Sequence, residues 1–528
     1  MRKAIGLIFG IFVCSILLTG CSDSSKKPNT ELGDELVLAI GSEPEAGFDP
    51  IKGWGRYGSP LFQSTLLKRD DELAIVYDLA TGYEVSDDRL TWTVTLREDV
   101  RFSDGEPLTA EDVKYTFETL KSNGSVVDLT NLDRVETSGN QVSFILKSPH
   151  STFVYHLIAT GIVPKHVHNE EYALNPIGSG PYKFVQWDKG QQLIVEANPE
   201  YYGDVPYFRK LTMLFLNEET AFAAAKRGDV DVAAIPAAFG KQAVSGMRIE
   251  AVKSVDNRGI AFPYVPAGRT TESGYPIGND VTADPAIRKA INLVIDRSAL
   301  VEGVLEGYGS PAYTAVDHLP WWSSETPFAD GDVEGARSQL EEGGWKDTDG
   351  DGIVEKGGLN AEFTLIYPAS DVTRQSLALA AADMVKPIGI QIHVEGKSWA
   401  EIEKRMHADA VMLGWGSHDP LEMYNLYSSH YAGMDYYNTG YYGNSAVDQY
   451  FEQALAAASE EAALEYWKKS QWDGETGTSA QGDAPWAWLV NLDHLYLVNE
   501  QLDIGKQRIQ PHGHGWPITD NIAAWRWK

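Results

Sequence analysis

The sequence predicts an α/β protein assembled from more than one packed region, and three observations carry that reading. The stretch 90–120, LTWTVTLREDVRFSDGEPLTAEDVKYTFETL, reads as strand, strand and helix. Segments of period two and period 3.6 keep alternating downstream of it. About 490 residues follow an N-terminal apolar run and the polar stretch after it, more than one hydrophobic core organises, so two or three packed regions are expected.

Each element has a local reason. Residues 91–96 alternate polar and apolar with β-branched and aromatic side chains, as a half-buried strand does. Val100-Arg101-Phe102 reads as a second short strand and Ser103-Asp104-Gly105 as its turn. Thr109 is a good N-cap, with Asp112 placed for a capping box, and Val113, Phe117 and Leu120 form one helical stripe. Hairpins are expected over 134–148 and 182–198, turning at Ser138-Gly139-Asn140-Gln141 and Asp188-Lys189-Gly190. Helices are expected over 151–159, 218–226, 285–295 and 298–305, and a strand over 230–235.

Arg2 and Lys3 precede an apolar run at 4–18, the pattern of a cleaved export signal over 1–20, and Leu18-Thr19-Gly20-Cys21 resembles a bacterial lipobox. Cys21 would then be acylated, 21–35 would be a flexible tether, and the protein would sit outside the cytoplasm, held to the cell membrane by lipid. Cys14 would leave with the signal, so disulfides and thiolate chemistry are not expected. The net charge of −31 suits no nucleic acid partner, since phosphates require a basic face.

Five further segments, in the same order, resemble those of the peptide/nickel/opine class (family 5) of extracytoplasmic solute-binding proteins of ABC importers. They are NPIGSGPY (175–182), EANPEYYG (196–203), AKRGDVDV (225–232), 284–307 and 335–345. The resemblance implies a two-lobed periplasmic-binding-protein-like fold of class II, the large peptide/nickel type, with a hinge between lobes. Lobe I would comprise 36–258 plus 494–528 and lobe II 259–493. It implies a monomer that captures a short peptide or a nickel–chelate complex, hands it to the transmembrane permease subunits and performs no chemistry. Two alternatives stay open: a peptide receptor without metal, and a sensory receptor presenting its ligand to a signalling partner. No nucleophile elbow, P-loop or HExxH is present.

The resemblance also places the ligand readers. Dipeptide receptors resemble "GWtgDngDP", whose first aspartate holds the peptide ammonium; here 414–420 reads GWGSHDP, with that aspartate missing and His418 ahead of Asp419. Imidazole suits nickel, so the substitution tilts the ligand slightly toward a nickel–chelate complex, with nickel as cargo. His512 and His514, in the loop QPHGHGWP, are further candidate metal ligands. Arg56 and Tyr57, in GWGRYGSP, are expected to line the cleft, Arg56 pairing with a ligand carboxylate or else standing at the surface. Trp399, Trp415 and Trp486 are expected as aromatic walls. His166 and His168, two apart, would share one face of a strand. DTDGDG at 347–352 reads as a polar turn, or as a structural calcium site at Asp347, Asp349 and Asp351, although position twelve of such a loop is Gly358.

Overall fold

The helix Ala110–Ser122 starts as its sequence dictates. The Thr109 backbone N–H donates to Asp112 Oδ2 at 2.8 Å, closing the capping box. Its buried stripe of Val113, Phe117 and Leu120 packs with the antiparallel sheet Ala80–Val85, Thr91–Leu96, Gln141–Leu146 and Leu132–Ser138, where Phe117 meets Phe144 edge-on at 4.7 Å. The short strand expected at 100–102 is reduced to one bridge, Arg101 to Pro107, because the turn at Gly105 follows too closely for a ladder. The computed structural model describes residues 33–58, 60–123, 127–513 and 515–528. The expected signal, Cys21, nearly all of the tether and His514 lie outside them.

One large mixed sheet runs through the molecule. On one side Tyr182–Asp188, Gln192–Ala197, Lys210–Leu214, Glu35–Ala39 and Val232–Ile235 lie in that order; on the other, Ala410–Leu413, Glu362–Pro368 and Gln391–Lys397 do. Between them run two long antiparallel strands, Met247–Ala261 and Trp486–Asn499. Leu495 to Val498 pair with the first group, and Gly259 to Ala261 with the second. The register of the long pair breaks between Lys253 and Asn257. Residues Glu35–Lys528 form one compact unit.

The segment 284–307 shows what its residues do. Asp284 caps Pro285–Val294 and Asp296 caps Arg297–Val304. Arg288 is buried and donates to the carbonyls of Thr282, Ala283, Asp483 and Ala484. Arg297, also buried, donates to the carbonyls of Ala312, Trp488 and Asn292 and pairs with Asp330 at 2.9 Å. Both guanidiniums therefore tie their helices to carbonyls of neighbouring loops and of the long strand Trp486–Asn499.

His166 and His168 stand in a turn after Pro164 rather than on a strand, since Val167 and His168 fold back to bond the Pro164 carbonyl. His166 faces Asp104 at 2.8 Å, while His168 is held between Tyr115 and Asp49, so the two do not converge. Asp347, Asp349 and Asp351 are exposed, with carboxylate oxygens within 4.8 Å of one another. Asp347 accepts from the amides of Gly350 and Gly352, Asp349 from that of Asp351, and Asp351 from that of Ile353.

Candidate functional site

A cleft of about 1130 Å³ opens between the two halves of the molecule. One wall carries Arg56, Tyr57, Arg69, Tyr155, His156, Tyr202 and Arg508; the other carries Trp415, His418, Asp419, Glu422, Asn425, Tyr431 and Tyr437. Its lining holds six cationic side chains (Arg56, Lys68, Arg69, Lys121, Lys147, Arg508) and six acidic ones (Asp78, Asp128, Asp419, Glu422, Asp435, Asp520). On a chain of net charge −31 this balance is a local enrichment in positive charge.

The second wall is shaped by the loop after the strand Ala410–Leu413. Gly416 adopts φ 148°, and a Cβ there would stand 2.3 Å from the Val255 carbonyl, so only glycine lets the loop pass so close to the long strand. Trp415 exchanges two hydrogen bonds with Asn257, backbone N–H to Oδ1 and carbonyl to backbone N–H, both at 2.9 Å. Its ring then stacks on Tyr437, centroids 5.0 Å apart. Asp419 and Glu422, three residues apart, fall on one side of the turn that opens the helix Leu421–Tyr427. Burial pushes each carboxyl up to about 7, against the bonds Asp419 accepts from Leu421 and Glu422 accepts from Gly416 and Ser417.

The opposite wall supplies the cations. Burial works against the charge of Arg56, but Tyr57, Tyr437 and Asp419 hold its pKa above the usual value, and it hydrogen-bonds Tyr437 across the cleft. Arg69 lies 4.9 Å over the Tyr155 ring and donates from Nη2 to the His418 carbonyl at 2.8 Å. The Tyr155 hydroxyl in turn donates to Glu460.

His418 does line the cleft, but its ring is embedded in the wall, and Nε2 is covered and has no hydrogen-bond partner. Burial, then Arg508 and Arg69, drive its pKa well below the usual imidazole value. Two guanidiniums that oppose a proton there also oppose a metal cation. His512 stands behind the cleft, with Nδ1 hydrogen-bonded to Asp256. Among the described residues Asp347, Asp349 and Asp351 are the one group of three His, Cys, Asp or Glu side chains close enough to share an ion, so His418 and His512 belong to no such group.

Arg56, Tyr57, Trp415 and His418 thus meet in one cavity, and two other expected wall residues do not reach it. Trp399 is 44% exposed, its ring set edge-on to Tyr436 at 5.4 Å. Trp486 is buried in the core beside Trp488. Sequence reasoning did not single out Arg69, Tyr155, His156, Glu422 or Arg508; only the Asp419–Glu422 spacing offered a local signal.

A family model described as bacterial extracellular solute-binding proteins, family 5 Middle, matches residues 74–438. Protein XP55 of Streptomyces lividans is 36% identical over 498 residues, 90% of this chain and 86% of that protein. The oligopeptide-binding protein AppA of Bacillus subtilis is 27% identical, covering 86% of this chain and 88% of its own. Among solved structures, NikZ from Campylobacter jejuni in complex with Ni(L-His) superposes with a TM-score of 0.78 at 26% identity, over 94% of this chain and 99% of that one. Bacillus subtilis AppA in complex with a nonapeptide gives 0.70 at 25%, with the same coverage. With the family model matching well over half of its residues and a two-lobed α/β body closing on a lined cleft, this chain belongs to the family 5 extracellular solute-binding proteins of ABC importers.

Proposed function

We propose that this receptor captures a zwitterionic peptide of several residues and delivers it unaltered to its permease. The observation that carries the reading is the cleft itself. Its volume, about 1130 Å³, exceeds the roughly 300–1,000 Å³ of small-molecule sites, and opposite charges are distributed among tyrosine and tryptophan faces. Arg56 is placed to take a carboxylate, and Asp419 with Glu422 to take an ammonium group. The similarity to AppA, solved with a nonapeptide, supports the same reading.

A nickel–chelate complex is the second reading, favoured by the likeness to NikZ with Ni(L-His) and by His418 in the wall. The covered Nε2 and the flanking guanidiniums weigh against it. Mass spectrometry of the solute released from the purified receptor, with elemental analysis, separates the two. Peptide without nickel supports the first reading. Stoichiometric nickel, retained in His168→Ala and lost in His418→Ala, overturns it.

In this proposal Cys21 carries the lipid anchor, the chain acts as a monomer without catalytic turnover, and the lobes divide as 36–258 plus 494–528 against 259–493. The break in register between Lys253 and Asn257 supports that division. Among the described residues no helix is long and apolar enough to cross a membrane.

A further inference from the structure

The segment 508–513 borders the cleft at Arg508 and Pro511, yet its strongest attachments lie behind the wall. Gln510 joins the long strand Met247–Ala261, pairing in parallel with Ser254 through Val255 N–H to the Gln510 carbonyl at 2.9 Å. Two residues on, His512 grips both ways. Its Nδ1 bonds Asp256 Oδ1, and its backbone N–H donates to the Gly416 carbonyl at 2.6 Å.

Asp256 is fully enclosed. Burial opposes its charge, but Arg258, His512 and His494 hold its pKa well below the usual carboxylate range. Arg258 Nη1 donates to Oδ1, and His494 Nε2 stands 3.3 Å from Oδ2. One carboxylate therefore gathers both long strands and the C-terminal segment at the register break. None of Asp256, His494 and His512 lines the cleft.

We infer that Asp256 and His512 are positioning residues: through them the C-terminal segment fixes where the loop 415–419 stands in the cleft, without touching ligand. The loop has three anchors from three parts of the chain, Asn257 on Trp415, His512 on Gly416 and Arg69 on His418. The His512 anchor runs through Asp256, whose Oδ1 bonds the imidazole carried by the anchoring backbone. The inference deepens the proposed function and rests on the cleft being the ligand site.

The test is hydrogen exchange, followed by mass spectrometry, on the intact chain and on Asp256→Asn, His512→Ala and His512→Asn. In His512→Ala and Asp256→Asn, exchange over 412–420 should quicken about tenfold, the size expected for losing a charge-assisted hydrogen bond. Exchange over Glu362–Pro368 should stay unchanged. His512→Asn places a side-chain N–H where Nδ1 stands and should recover to within about twofold of the parent. Parent-like exchange in His512→Ala overturns the inference, and so does equal acceleration in both segments, which marks a merely structural role. The readout needs no ligand. Failure of penta-alanine and the other unmodified peptides to bind the parent would instead undo the peptide reading and leave this result standing.

Discussion

Trp486 stacks on Trp488 with centroids 4.3 Å apart and planes 2° from parallel. The two rings sit two residues apart on one face of the long strand, and Trp488 Nε1 donates to the Tyr427 hydroxyl at 2.9 Å. Trp486 therefore packs a core, whereas Trp415 lines the cleft. Trp486→Ala should lose about 3–5 kcal/mol of stability. Trp415→Ala should lose ligand with a smaller change in stability. Denaturant melts and calorimetric titration of the same two variants check the contrast; loss of ligand by folded Trp486→Ala alone would refute it.

Arg56 should be the costliest cleft cation to remove. Arg56→Ala takes away the donor offered to a ligand carboxylate and the hydrogen bond to Tyr437 across the cleft. Binding of a peptide with a free C-terminal carboxylate should weaken about tenfold or more. Arg56→Lys should recover only part of it, because an ammonium cannot reproduce a planar fork. Titration with the free-acid and C-terminally amidated forms of one peptide checks the role: the parent should prefer the acid, and Arg56→Ala should not distinguish them.

Asp419 and Glu422 give stability a pH dependence with a defined sign. Their folded pKa values, each pushed up to about 7, lie above the unfolded values, so the folded state holds the extra protons. Their contribution is complete below about pH 4, where both states are protonated. It is lost as pH rises through about 7. Asp419→Asn should flatten the fall in Tm between pH 5 and 8 relative to the parent, as scanning calorimetry without ligand would measure. An unchanged slope would remove Asp419 as its source.

His156 works in the opposite sense. Burial pushes its pKa down to about 3, below the unfolded value, so stability is lost as pH falls from about 6.5 toward 3. His156→Gln should hold its Tm better than the parent between pH 6.5 and 4.5. Parallel curves for the two would exclude the effect.

Arg297→Met should be among the most damaging substitutions outside the cleft. It strands the carbonyls of Ala312, Trp488 and Asn292 and the carboxylate of Asp330. Breaking a buried pair of this kind costs about 3–5 kcal/mol. Urea denaturation measures it; a loss of less than about 1 kcal/mol would mean that water satisfies those groups.

Short-range chemistry was legible in the residues alone. Thr109 and Asp112 announced a helix start because a capping box needs only four consecutive residues. The resemblance carried by 284–307 pointed to the family, but the work of Arg288 and Arg297 could not be seen, since their acceptors lie up to 196 positions away. Trp486 is expected in a cleft wall, and its neighbours in sequence do not say whether core or cavity covers its ring. In the same way Arg69, Tyr155 and Arg508 acquire meaning only where distant segments meet. NPIGSGPY gains its reason from the fold: a Cβ on Gly178 would stand 2.0 Å from the Phe62 carbonyl, so its glycine serves a close crossing of chains.

The two long strands have a mechanical consequence. Because both groups of strands are sewn onto one ribbon, a rotation of one against the other would have to be carried by torsion of that ribbon. The ladder loses step between Lys253 and Asn257, where side chains and the Gln510 backbone replace ladder bonds. A linker inserted in a surface turn would leave the swing untouched, whereas a proline set into the ladder at that point would stiffen or cripple it.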